Sequence, residues 1–161
     1  MNRRQIIIGA GATLLGAPAF AHDFTAGTLK IGHPWSRPAL AGQNGVGYMT
    51  ITSSGPADTL TGVVCAAAAK ATLHHSMMMS GVMQMHAVPN VPIPAGKTVV
   101  FKPGGLHIML EGLKRPLNLG DKVPATLVFA KAGRVAIEFS VQAAAPAGQP
   151  AGTSNMPGMN H

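Results

Sequence analysis

The segment Val135-Ala136-Ile137-Glu138-Phe139-Ser140-Val141 alternates apolar residues with small or polar ones. Because successive strand side chains point to opposite faces, this pattern predicts a β-strand with one face in a core. Working outward along the chain, short apolar segments recur between Gly- and Pro-containing turns. We predict strands at 29–31, 47–51, 60–64, 82–88, 98–102, 107–110, 125–129 and 135–141. Only the short, alanine-rich segment 66–71 looks helical. The sequence therefore predicts a single all-β domain, either an antiparallel sandwich or a Greek-key barrel.

The composition excludes several classes of function. In 161 residues, 47% are hydrophobic and 11% charged, so a substantial core can form. The net charge is +7, but the basic residues are scattered and aromatics make up 4%, which argues against nucleic-acid binding. A single Cys excludes an internal disulfide, a CxxC pair and an all-thiolate metal site. The chain is instead rich in two neutral metal ligands, with 10 Met and 7 His.

Residues 1–21 resemble an export signal. Arg3 and Arg4 precede an apolar segment at 6–15, and Ala19-Phe20-Ala21 offers small residues for a signal peptidase. A spanning helix needs about 20 apolar residues, so an uncleaved anchor is the weaker alternative. The arginine pair also permits twin-arginine export in place of the Sec route. We expect no stable membrane insertion once the signal is removed.

Past the predicted domain, which occupies residues 22–142, the composition changes. Residues 143–161 are mainly Ala, Pro, Gly, Gln, Ser and Asn, and we predict a flexible tail that carries Met and His.

His and Met concentrate in one part of the predicted domain. Four of the seven His and six of the ten Met lie between His74 and Met109. His107 and Met109 are two residues apart, so a strand places both side chains on one face. Ile108, between them, then points to the core.

A second strand can complete the cluster. By the same alternation Met83 and Met85 share one face, and His86 takes the other. Gly81 predicts a turn, so the preceding strand can run back alongside and bring His74 near Met85. The spacing thus permits, without proving, a cluster of His74, Met85, His107 and Met109.

Two imidazoles and two thioethers are neutral donors that suit Cu(I). Zinc more often recruits thiolate, further imidazole or carboxylate, and Ca²⁺ and Mg²⁺ prefer oxygen. The alternative is that each Met fills the core and each His is an ordinary surface residue. The run Met77-Met78-Met79 lacks alternation, which favours an exposed loop over three ligands.

These four residues also carry a family resemblance. Their spacing, H-x10-M-x21-H-x-M, resembles the signature of the periplasmic copper chaperone family PCuAC. Trp35-Ser36-Arg37-Pro38 resembles that family's early W-[AS]-R-P element. Further similar segments, within a resemblance spanning residues 28–142, are 44–51, 81–85, 93–96, 102–110 and 112–117.

The resemblance implies a cupredoxin-like β-sandwich holding one Cu(I) at a partly exposed site. It also implies copper delivery in the periplasm to the CuA centre of cytochrome c oxidase subunit II, or to another copper-assembly protein. The family commonly has an acidic residue after its first His, whereas this chain has His75. The choice between His74 and His75 stays open, although the spacing favours His74. Candidate accessory ligands are His75, Met83, Met156, Met159 and His161.

The Met and His residues of the tail suggest a second, weaker Cu(II) site. Removal of the signal would make His22 the new N-terminus, which could also bind Cu(II), although we favour a solvated His22. Cys65 raises the alternative of a blue-copper electron carrier. In a blue-copper protein the ligand Cys normally lies on a late strand, with His and Met ligands a few residues beyond it. Cys65 lies in the middle of the chain and the next His is His74, so we predict that Cys65 is a small, buried hydrophobic residue.

We expect a monomer and no enzyme, because the sequence shows no nucleophile–base pair, paired carboxylates or nucleotide loop. The runner-up is a copper-buffering or resistance protein using the same site. A structural adhesion or secretion module would require the His/Met spacing to be coincidence.

Overall fold

The computed structural model describes residues 23–143. The predicted export signal 1–21 and His22 lie outside these residues, as does the tail from residue 144 onward with Met156, Met159 and His161. Within the described part there is no helix long and apolar enough to cross a membrane.

Residues 23–143 form eleven β-strands and no helix. In chain order they are β1 Phe24–Ala26, β2 Leu29–Ser36, β3 Gly45–Ser53, β4 Asp58–Val64, β5 Ala68–Met79, β6 Val82–Ala87, β7 Val91–Ile93, β8 Thr98–Phe101, β9 Leu106–Leu113, β10 Lys122–Phe129 and β11 Gly133–Val141. The prediction of a single all-β domain is confirmed.

The strands form one continuous mixed sheet with the order β6-β5-β9-β8-β3-β2-β11-β10-β4-β7, and β1 pairs with β2. Most pairs are antiparallel, whereas β2 runs parallel to β11 and β8 parallel to β9. The sheet folds over on itself, so that β4 contacts β5 and β3 contacts β7. This arrangement leaves β6 at one end of the strand order, with no strand of residues 23–143 paired to its outer edge.

The core lies inside the folded sheet. The alternating residues Val135, Ile137, Phe139 and Val141 are all buried, as their pattern predicts. They pack in one cluster with side chains from the other strands, including Ile108 of β9. Removing this apolar surface from water stabilises the sheet by about 25 cal/mol per Å² buried.

Two local predictions are wrong. The segment 66–71 is not helical, because residues 68–71 open β5 and pair with β9, from Ala68 opposite Leu113 to Ala71 opposite Leu110. Strand pairing in the folded chain overrides the weak helical preference of alanine. The run 77–79 is exposed, as expected, but it is a continuation of β5 and not a loop.

Candidate metal centre

A tight hairpin carries half of the predicted site. β5 ends at Met79 and β6 begins at Val82, so only Ser80 and Gly81 form the turn. Both have positive φ, 50° and 77°, as a two-residue type I′ turn requires. The turn predicted at Gly81 is confirmed, and it returns β6 alongside β5, whose other edge pairs with β9.

The register of these three strands places the four predicted ligands on one face. In β5, the alternate residues 72, 74 and 76 share a face. Residues directly opposite one another on paired strands also share a face. The three pairs are Thr72 opposite Met109, His74 opposite His107, and Ser76 opposite Met85. The two imidazoles and two thioethers therefore project from the same side of the sheet.

His107 presents a nitrogen lone pair. Its Nδ1 donates a hydrogen bond to the carbonyl oxygen of Gly105 at 3.0 Å. Because a carbonyl only accepts, the proton is on Nδ1 and the lone pair is on Nε2, which is buried and has no hydrogen-bond partner. Burial lowers the pKa of His107, and the nearby His74 and His75 lower it further, against the opposing effect of the Gly105 hydrogen bond. The lowered pKa favours the neutral ring, which is the form that binds metal.

His74 presents a second lone pair through a different chain of hydrogen bonds. Thr72 Oγ1 donates to Glu111 Oε1 at 2.8 Å and lies 2.9 Å from His74 Nε2. Since the hydroxyl proton is directed to Glu111, the Thr72 oxygen accepts from His74 Nε2–H. The lone pair is then on His74 Nδ1, which is also buried and without a partner.

The two rings lie close together. Their centroids are 5.7 Å apart and their planes are inclined by 25°. Among the described residues, three buried side-chain nitrogen or oxygen atoms lack a hydrogen-bond partner; two belong to this pair and the third is Nδ1 of His33. A buried lone pair without a partner costs about 1–3 kcal/mol, and a metal ion bound to it removes that cost. The residues present therefore fit a metal centre.

The thioethers leave the centre partly open. Met85 is 51% exposed, whereas Met109 is half-buried. The residues facing Met85 and His74 across the β5–β6 pair are small, Ser76 and Ala87 respectively. Within residues 23–143, no three His, Cys, Asp or Glu side chains are grouped to hold a metal, so the candidate centre depends on its thioethers.

The other sequence candidates are separated from this face or extend it. His75 pairs with His86, so both belong to the opposite face of the hairpin from His74. Met83 pairs with Met78 on the same face as Met85. Cys65 is buried and its Sγ lies 3.6 Å from the carbonyl oxygen of Pro124, as expected for a small core residue.

Thr72 and Glu111, the partners that orient His74, are not among the residues predicted from the sequence. Each lies two residues from a predicted ligand, Thr72 from His74 and Glu111 from Met109. Strand alternation would have placed both on the metal face, so this signal was available.

Comparison with known proteins assigns the family. Residues 29–141 match the family model described as "Putative lipoprotein LpqE-like". "Putative lipoprotein Lxx21020" of Leifsonia xyli subsp. xyli is 34% identical over an alignment of 128 residues, and the match covers 77% of this chain and 76% of that protein.

Two solved structures resemble this chain in both sequence and fold. The copper-bound PCuAC domain from PmoF2 is 30% identical with a TM-score of 0.65, covering 76% of this chain and 99% of that domain. The solution structure of CuI-DR1885 from Deinococcus radiodurans is 29% identical with a TM-score of 0.51, covering 70% of this chain and 78% of that one. The chain therefore belongs to the LpqE-like family, which is of the PCuAC type, and has the cupredoxin-like β fold of PCuAC domains.

Proposed function

We propose that this protein is an exported Cu(I) carrier, a metallochaperone that holds one copper ion at His74, Met85, His107 and Met109. The observation that carries the proposal is the pair of buried, unpartnered lone pairs on His74 Nδ1 and His107 Nε2, beside two thioethers on the same face. The similarity to a copper-bound PCuAC domain supports it.

The donor set favours the monovalent ion. Imidazole and thioether ligands are neutral and soft to intermediate, which matches the preference of Cu(I) for sulfur and nitrogen. Thioethers need no deprotonation and do not form disulfides, so the site remains functional in an oxidising compartment. The Glu111–Thr72–His74 chain and the Gly105 carbonyl orient the two rings, as outer partners commonly do in metal sites.

Uneven exposure of the ligands suggests how copper is passed on. His107 is buried and serves as the anchor, whereas the exposed Met85 can be displaced by an incoming ligand from an acceptor. Copper then transfers by ligand exchange, one donor at a time, and remains monovalent. The cargo is not chemically altered, so the protein acts as a carrier and not as an enzyme.

We further propose the periplasm as the compartment and cytochrome c oxidase subunit II, or another copper-assembly protein, as the acceptor. The lipoprotein names of the family and of the Leifsonia relative support an exported, envelope-associated protein. Cys65 is buried in the core, so it is not the site of a lipid attachment here.

X-ray absorption of the full chain loaded with one equivalent of Cu(I) tests the metal site. We expect a shell of nitrogen and sulfur neighbours, and we expect the His107→Ala variant to lose nitrogen scattering. The matched control is His86→Ala, which removes an imidazole from the opposite face and should leave the spectrum unchanged. A shell dominated by oxygen, or equal effects of the two variants, would contradict the proposal.

A deletion strain separates delivery from the runner-up, copper buffering at the same site. Loss of cytochrome oxidase activity that added copper restores supports delivery. Copper sensitivity with normal oxidase activity supports buffering instead.

A further inference from the structure

The tip of the β5–β6 hairpin exposes an unusual amount of thioether. Nine large hydrophobic side chains are exposed within residues 23–143, and six of them are on this hairpin. Five of the six are methionines. The six are Met77, Met78, Met79, Val82, Met83 and Met85. Core packing does not account for them, because they face solvent.

The register separates these methionines into two sets. Met78 is directly opposite Met83, on the face that carries Met85 and His74. Met77 and Met79 take the other face, where their cross-strand partners are Gln84 and Val82. Met78 and Met83 are thus the one directly opposed methionine pair in the hairpin, and they are 63% and 54% exposed.

The geometry of this pair suits one soft ion. Directly opposed residues have Cβ atoms about 4.5–5.5 Å apart, so two long, flexible Met side chains can bring both sulfur atoms to a single ion. Met85 follows Met83 on the same face, one step of about 6.6–6.8 Å along the strand. Residues 71–96 contain no Lys, Arg, Asp or Glu, so no formal side-chain charge within this segment repels a cation or recruits a hard one.

We propose that Met78 and Met83 form a second, weaker Cu(I) site at the hairpin tip, through which copper reaches and leaves the His74–His107 centre by way of Met85. The inference rests on the proposed function. The pair is weaker than the main centre because it lacks imidazole and is open to water. In each step a thioether sulfur or imidazole nitrogen donates its lone pair to copper as another copper–sulfur or copper–nitrogen bond breaks, with no change of oxidation state and no proton transfer.

Methyl NMR of the full chain, labelled with ¹³C at the methionine methyl groups and titrated with Ag(I), tests the second site. Ag(I) is a soft monovalent ion, and each bound sulfur shifts its own methyl signal. We expect the first equivalent to shift Met85 and Met109, and further Ag(I) to shift Met78 and Met83 together. Met77 and Met79 should not move. If Met78 and Met83 stay unmoved, or move no more than Met77 and Met79, the inference is wrong.

A matched pair of double variants tests the route. Met→Leu substitution keeps the apolar bulk and removes the sulfur, so M78L/M83L and M77L/M79L alter opposite faces of one hairpin equally. We expect M78L/M83L to slow Cu(I) transfer to a chelator by about tenfold while the affinity of the main centre is unchanged, and M77L/M79L to transfer at the wild-type rate.

Equal transfer rates for the two double variants would overturn the route. The proposed function fails by a different result, namely that Met85 and Met109 do not shift with the first equivalent of Ag(I), and the route would then fail with it.

Discussion

Asp58 and His107 are buried polar residues, and the neighbouring His74 is partly buried with its Nδ1 out of contact with water, but the hydrogen bonding of the carboxylate and of the two imidazoles differs. Asp58 Oδ1 accepts from the backbone N–H groups of Thr59 at 2.7 Å and Lys131 at 2.9 Å, and Oδ2 accepts from that of Ala132 at 2.9 Å. Both carboxylate oxygens are used, and they tie the start of β4 to the β10–β11 turn. Each imidazole, by contrast, has one nitrogen bonded and one without a partner.

The difference separates a structural polar group from one prepared for a ligand. A buried group whose polar atoms are all hydrogen-bonded contributes to stability and needs no further ligand. A buried lone pair left without a partner costs stability unless something else binds there. The fold tolerates that cost at one face of β5 and β9, where two thioethers are also present.

The largest expected effect comes from His107→Ala. It removes the buried anchor, and we expect Cu(I) affinity to fall by more than about 100-fold, because even outer partners of metal ligands are worth about 10–100-fold. Competition with a Cu(I) chelator measures it. His86→Ala, on the opposite face of the hairpin, is the matched control and should keep wild-type affinity. Wild-type Cu(I) affinity in the His107→Ala variant would contradict the assignment of His107 as a ligand, in contrast to the structural role of Asp58.

Asp58→Ala should have the opposite effect, lowering the stability of the protein and leaving Cu(I) binding unchanged. It leaves three backbone N–H groups without their acceptor, so we expect the free energy of unfolding to fall by about 2–3 kcal/mol in chemical denaturation. The Cu(I) affinity of the folded protein should not change. Asp23→Ala is the control, since Asp23 makes only exposed contacts, an ion pair with Lys30 at 3.0 Å that is worth at most about 1 kcal/mol and a hydrogen bond from the backbone N–H of His33 at 3.2 Å. Equal destabilisation by the two variants would contradict this assignment.

The same carboxylate predicts a pH dependence. Burial alone would raise the pKa of Asp58, but the hydrogen bonds from Ala132, Lys131 and Thr59 and the charge of Lys131 outweigh it, so its pKa in the folded protein is below the usual 3.8. Its stabilising contribution is therefore complete above that usual value and is lost as pH falls through the lower folded value. Below about pH 4, wild-type stability should fall more steeply than that of Asp58→Ala. Parallel pH profiles would exclude this role.

The smallest expected effect is that of Thr72→Val. Valine keeps the shape but breaks the hydrogen-bond chain from Glu111 to His74, so we expect about tenfold weaker Cu(I) binding. Nitrogen NMR of the His74 ring should also show loss of the Nε2–H tautomer, which a purely structural effect would not produce. Thr52→Val is the control, because its hydroxyl pairs with Thr98 at 2.8 Å on other strands. An unchanged tautomer would show that Thr72 does not position the ring.

Much of the fold could be predicted because the sandwich buries one face of most strands. In β11 the apolar residues alternate because every second side chain is buried. Gly81 indicates the hairpin because the second residue of the turn needs positive φ. β5 was largely missed. Its alanine-rich start offers no contrast between apolar and polar side chains, and its three consecutive methionines are exposed on both faces, so neither end shows period-two alternation.

By itself, the sequence determined the all-β class, the shared face of His107 and Met109, and a spacing that permitted His74 and Met85 to join them. Those conclusions depend only on alternation and turn chemistry, which are local properties of the backbone. Only the tertiary structure decided that His74, and not His75, faces His107, because that choice depends on the register between β5 and β9, which pairs two residues 33 positions apart in the chain. It also decided which nitrogen of His74 is free, since the hydrogen bond from Thr72 to Glu111, which directs the hydroxyl proton away from His74, forms only once β5 and β9 are paired.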